Sequence, residues 1–184
     1  MKTNYVLAAS AAGLLFLAGC GSPPKATKAP PLQEAPPPPP SKPGLGLSQA
    51  ELLKGLEPIT LERVGNQSAY LGYTPDKQEG SNKFTSLVAY GTPEVVDHAL
   101  MSAALPYDEY PDPAKYPEFM VRNQKLLDTF LNNIFQGKVP REISEQLEYV
   151  KEHPERKRAI PIPYCMVTVE YDDTKHIVIE IQRR

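Results

Sequence analysis

The stretch from Leu47 to Arg184 predicts an α+β domain, an antiparallel sheet packed on one face by two or three helices. Three observations carry this. Short runs rich in aromatic and β-branched residues alternate in the manner of strands. One long segment, Pro117 to Gln136, repeats apolar residues at helical spacing. Strands and helices come in blocks without βαβ alternation, which disfavours a parallel sheet.

The elements follow in order. Ser48-Gln49-Ala50-Glu51 has the spacing of a capping box and leads into Leu52, Leu53 and Leu56 before Pro58. Strand-like segments are Ile59 to Val64, Ala69 to Tyr73 and Lys83 to Tyr90, with the polar stretch Thr74 to Asn82 as a hairpin loop. Thr92 to Leu105 reads two ways. As a helix opened by Thr92-Pro93-Glu94 it puts Val95, Val96, Ala99, Leu100, Ala103 and Ala104 on one face. As a strand it groups Val95, Ala99, Met101, Ala103 and Leu105, interrupted by Asp97. The pattern alone leans towards helix, because the strand buries more polar groups.

In the long helix, Met120, Leu127, Phe130, Leu131, Ile134 and Phe135 form the apolar stripe and Gly137 stops it. Arg141 to Glu152 is a shorter helix carrying Ile143, Leu147 and Val150 and ending before Pro154. Tyr164 to Tyr171 and His176 to Gln182 are closing strands joined through Asp172-Asp173-Thr174-Lys175. Expected core contacts are Leu127, Phe130, Leu131 and Ile134 against Val167, Val169, Ile177 and Ile179.

The chain divides into residues 1–19, a signal peptide; 20–46, a lipidated cysteine and proline-rich disordered linker; and 47–184, a single globular domain. The basic start Met1-Lys2-Thr3-Asn4 precedes the apolar segment Tyr5 to Leu17, too short for a comfortable membrane span and followed by small residues. Leu17-Ala18-Gly19-Cys20 resembles the lipobox of bacterial lipoproteins. That resemblance implies cleavage before Cys20 and acylation of its thiol, so lipidation is assigned to Cys20 and the bilayer is its first partner. Two or more acyl chains hold a protein stably where one holds it marginally. The expected location is the cell envelope, in the outer membrane or at the cell surface and facing the periplasm if the envelope is Gram-negative.

From Gly21 to Gly46 proline dominates, including the run Pro36 to Pro40, and there is no apolar period to support a core. Such a segment favours polyproline II and reaches roughly 60 to 80 Å when stretched, at about 3.1 Å per residue. It reads as a spacer. The alternatives are a ligand for an aromatic groove or a thread through a cell-wall mesh.

From residue 47 onward the chain has 16 basic and 21 acidic residues, a balance that argues against a nucleic-acid partner. Once Cys20 is acylated, Cys165 is the remaining thiol and an internal disulfide is impossible. Cys165 alternates with Val167, Val169 and Tyr171, as a buried apolar residue does.

A second resemblance covers Gly91 to Phe135. Gly91-Thr92-Pro93, Val96, Ala99-Leu100-Met101, Leu105-Pro106, Asn123, Leu127 and Phe130-Leu131 are similar to a pattern in small exported bacterial domains of no established activity. The resemblance implies a strand before Leu105-Pro106, shifting the preference at 95–104 to strand, and transfers no catalytic residue.

His98, His153 and His176 share no metal-ligand spacing, and the sequence assigns no catalytic residue, metal or cofactor. A Cys165, His176 and Asp172 constellation across the last hairpin would need residues that alternate onto opposite faces. The acidic loop Tyr107 to Asp112 lacks the glycine and closing glutamate of a calcium loop.

Tyr107, Tyr110 and Tyr116 sit among prolines in a long connection, and tyrosine offers rigid contact area with a polar tip. These three are the candidate partner-binding residues. The competing reading is that their rings pin the loop to the domain. A second candidate surface is the basic end around Arg156, Lys157, Arg158 and Arg184. The sequence thus points to a membrane-anchored, non-enzymatic interaction or assembly module with an envelope protein partner. A small-ligand or lipid carrier and an uncharacterised envelope enzyme are the alternatives.

Overall fold

The computed structural model describes residues 44–77, 82–153 and 156–184. The expected signal peptide, Cys20 and the proline run lie outside the described residues. The elements are α1 (Gln49–Leu53), β1 (Glu62–Arg63), β2 (Ala69–Tyr73), β3 (Thr85–Gly91), β4 (Val96–Ala104), a 3-10 turn (Pro113–Lys115), α2 (Glu118–Ile134), α3 (Arg141–Glu152), β5 (Arg158–Ile162), β6 (Cys165–Tyr171) and β7 (His176–Arg183). The fold is α+β. Its seven strands form one antiparallel sheet in the order β1-β2-β3-β4-β7-β6-β5, larger than the sequence pattern indicates.

Two meanders meet at β4 and β7, where Met101 lies opposite Ile179. Alternate residues of these strands are buried: Leu87 and Ala89, Met101 and Ala103, Val167 and Val169, Ile177, Ile179 and Ile181. They share one core with Met120, Leu127, Phe130, Leu131 and Ile134 of α2 and Ile143 and Val150 of α3. The expected helix-to-sheet contact residues are therefore all in the core, and Phe130 is fully buried.

Residues 96–104 form a central strand, which overturns the helical lean of the pattern. A bulge explains the ambiguity. Tyr90 pairs with His98 and Gly91 with Val96, so Asp97 is the extra residue and points out. Parity then changes along β4: Val96, Ala99, Met101 and Ala103 face the core, whereas the unbulged strand pattern selects Val95. Gly91 is required at this bulge, because its φ is +120° and a Cβ there would run into the Val95 carbonyl oxygen.

Of the expected strand 59–64, Glu62–Arg63 pair with β2, and the Val64 amide adds a bond to the Ala69 carbonyl. β5 is an addition to the sequence pattern, and it is an edge strand containing Pro161.

Polar side chains fasten the ends of elements. The Ser48–Glu51 capping box is formed, with the Glu51 amide donating to Ser48 Oγ and the Ser48 amide to Glu51 Oε2. Asn133 of α2 donates to the Leu52 and Lys54 carbonyls, both at 2.8 Å, and so caps the far end of α1. The buried Asn123 donates to the Ala104 carbonyl at 3.0 Å and the Lys83 carbonyl at 3.1 Å, tying α2 to the same end of β3 and β4. Its Oδ1 accepts from Arg122, which is itself paired with Asp76. At the start of the domain, Leu45 donates to the Val96 carbonyl and accompanies Leu47 into the core.

Candidate partner-binding site

The connection from β4 to α2 is anchored at both charged and aromatic positions. The Leu105 amide donates to the Lys175 carbonyl, and Lys175 Nζ then reaches Asp108 Oδ2 and Glu109 Oε1, each at 2.8 Å. These bonds hold the Asp108 carboxyl below its ordinary range and raise the Lys175 ammonium above its own. Asp112 accepts from the Ala114 amide and starts the 3-10 turn. The acidic residues of the loop are thus engaged in closing it.

Tyr107 is buried. Its hydroxyl donates to Gln124 Oε1 at 2.7 Å, and its ring lies 6.0 Å from Tyr116 and 6.4 Å from Tyr171. Lys151 Nζ stands 4.9 Å from the Tyr107 ring centroid. Burial raises the Tyr107 phenol well above its normal range, and burial with the Asp108 charge pushes Tyr171 up to about 12. Tyr107 therefore pins the loop and offers little surface to a partner. Tyr110 and Tyr116 are half-buried against the core and keep exposed edges.

Beside this cluster a groove of about 370 Å³ runs between α2 and α3, with Tyr107, Gln124, Asp128, Ser144, Glu148 and Lys151 among its walls. A lipid-sized apolar cavity would have to open between the helices and the sheet instead. That space is filled by Phe130, Met120, Leu127, Met101 and Ile179, all essentially fully buried.

The Cys165, His176 and Asp172 constellation does not assemble. Cys165 pairs with Arg183 at one end of the β6–β7 ladder and His176 pairs with Ala104 near the other. Burial pushes the Cys165 thiol up to about 11. Asp172 accepts from the Thr174 and His176 amides and shapes the turn. Among the described residues no three His, Cys, Asp or Glu side chains gather as a metal site, and no helix is long and apolar enough to cross a membrane.

In the basic region, Lys157 pairs with Glu170 at 2.8 Å and Arg158 donates to Gln146 Oε1 at 3.3 Å. Sequence reasoning missed the cluster of Tyr90, His98 and Glu180 on the sheet. Tyr90 and His98 stack at 4.6 Å, and His98 Nε2 lies 3.0 Å from Glu180 Oε1. Their alternation with buried neighbours was readable, but the register joining Tyr90 to His98 depends on the bulge.

No family model matches the chain, nor does a curated protein or a solved structure.

Proposed function

We propose that this is a membrane-anchored envelope lipoprotein, held by acylated Cys20, whose domain acts as a non-enzymatic protein-interaction or assembly module. The observation that carries the reading is Leu17-Ala18-Gly19-Cys20 behind a short apolar segment and ahead of a proline-rich stretch. The lipid supplies attachment, the linker supplies reach, and the domain supplies a rigid surface. In the domain the helices lie against one face of the sheet. The half-exposed rings of Tyr110 and Tyr116, both packed against the core and the second also against the buried Tyr107, form the rim of its contact surface. Rings already ordered by packing lose little entropy when a partner covers them.

The test uses the full chain. Wild type should enter the detergent phase in a phase separation and Cys20→Ser should remain aqueous or uncut. Wild type remaining aqueous with an unmodified thiol by mass spectrometry ends the lipoprotein reading. In affinity capture from envelope extract, Tyr110→Ser with Tyr116→Ser should weaken retention of the partner at least tenfold without unfolding the domain. Unchanged retention removes the loop from the contact surface.

A further inference from the structure

The free edge of the sheet at β5 and the flank of α3 enclose a cleft of about 420 Å³, lined by Glu142, Glu145, Gln146 and Tyr149 from the helix and Ala159 and Pro161 among the strand residues. We propose that this cleft binds an extended, basic peptide segment of a partner protein, which adds to the sheet alongside β5. The site is separate from Cys20 and from the tyrosine loop, so it can fail while the envelope assignment stands.

Backbone geometry makes the first part of the case. The Arg184 amide donates to the Tyr164 carbonyl, so Tyr164 turns its polar groups towards β7 and the next residue, Cys165, turns its own towards β5. Cys165 lies opposite Ile162, hence Ile162, Ile160 and Arg158 bond to β6 while Ala159 and Pro161 face outward. Pro161 fits this parity, because it has no N–H and lies at the sheet edge. Among the described residues no strand lies beyond β5. The edge therefore presents the Ala159 N–H, the Ala159 carbonyl and the Pro161 carbonyl, the groups an added strand pairs with.

A second observation points to a ligand. Gln146 is 2% exposed, and its Oε1 is taken by Arg158, which leaves a buried Nε2 with no hydrogen-bond partner. An orphaned buried amide is costly, and a backbone carbonyl entering the cleft would satisfy it. α3 packs mainly on β6 and touches β5 only at its margin, which leaves room beside the edge.

Charge selects the occupant: the lining holds Glu142 and Glu145 against the one cation Arg158, whose guanidinium is turned onto Gln146 Oε1. Glu142 is exposed and has no cation in ion-pair range among the described residues, and Glu145 has only the exposed Arg141. A lysine or arginine on an entering strand would meet both carboxylates. A second copy of this chain, whose own β5 begins at Arg158, is the competing occupant that the test separates.

The test is titration of the full chain in nonionic detergent with a fluorescent hexapeptide of alternating lysine and valine, against one of alternating glutamate and valine. The lysine peptide should bind saturably and at least tenfold tighter than the acidic one. Ala159→Pro removes the outward N–H without touching the β6 ladder, so it should keep the fold by circular dichroism and lose at least tenfold in affinity. Glu142→Lys should weaken the lysine peptide and improve the glutamate peptide. Absence of saturable binding up to millimolar peptide, or affinity unchanged in a folded Ala159→Pro variant, would overturn the proposal. A self-association abolished by Ala159→Pro, with no peptide binding, would assign the edge to a second copy and overturn it equally.

Discussion

At the scale of single residues, Tyr107 combines two contributions that mutation can separate. Its ring is core and its hydroxyl is a hydrogen-bond donor to Gln124. Tyr107→Phe removes only the bond and should cost about 0.5–1.5 kcal/mol by chemical denaturation. Tyr107→Ser removes the ring as well and should cost several times more. A serine variant as stable as the phenylalanine one would mean that the ring is not packed. The sequence marked Tyr107 as chemically interesting but could not show its direction, because burial depends on Tyr171 and Lys151 from distant segments. Asn123 is a related case. It stands out in the sequence only as part of a pattern, and the structure supplies the reason, two carbonyls held by one buried amide.

At the scale of elements, legibility followed how completely one local pattern determines burial. Helix α2 was plain because its buried residues recur at helical spacing along 17 residues and its exit is marked by Gly137, at φ +76°. Strand β4 was ambiguous because the Asp97 bulge breaks its two-residue period. Strand β5 was hidden by Arg158 and Pro161, residues that argue against a central strand and are tolerated at an edge. The strongest check on the packing is Phe130→Ala. With no exposure and a place in the core that helices and sheet share, its loss should cost about 3–5 kcal/mol, a large part of the stability of a domain this size. A measured loss below about 1 kcal/mol would show that the cavity collapses or that the helix faces elsewhere.

At the scale of the whole molecule, the proposed address and tether rest on local sequence alone, whereas a contact surface has to be assembled by the fold. The β5 cleft joins Glu142 and Gln146 to Ala159 across a segment boundary, and no spacing rule connects them. The junction between the proposed tether and the domain can be placed in the same physical terms. Proline-rich residues 21–40 supply no apolar face, but Leu45 and Leu47 are 3% and 6% exposed and bracket Val96 through hydrogen bonds from the Leu45 amide and to the Leu47 carbonyl. Among the described residues packing is thus already in place at Leu45, before the boundary expected at Leu47. Gly44 is tightly fitted there, at φ +72° and against the Val96 carbonyl, so the chain enters the domain along a fixed path. Two deletions should therefore behave differently in thermal unfolding. Removing residues 21–40 should leave stability unchanged within error. Removing 21–46 takes Leu45 out of the core and should cost about 1.5–3 kcal/mol from its burial, with a further contribution from the lost hydrogen bond. Equal stability of the two deletions would mean that the Leu45 contact contributes nothing to the fold. A loss from the shorter deletion alone would show that the proline-rich segment docks on the domain and is more than a spacer.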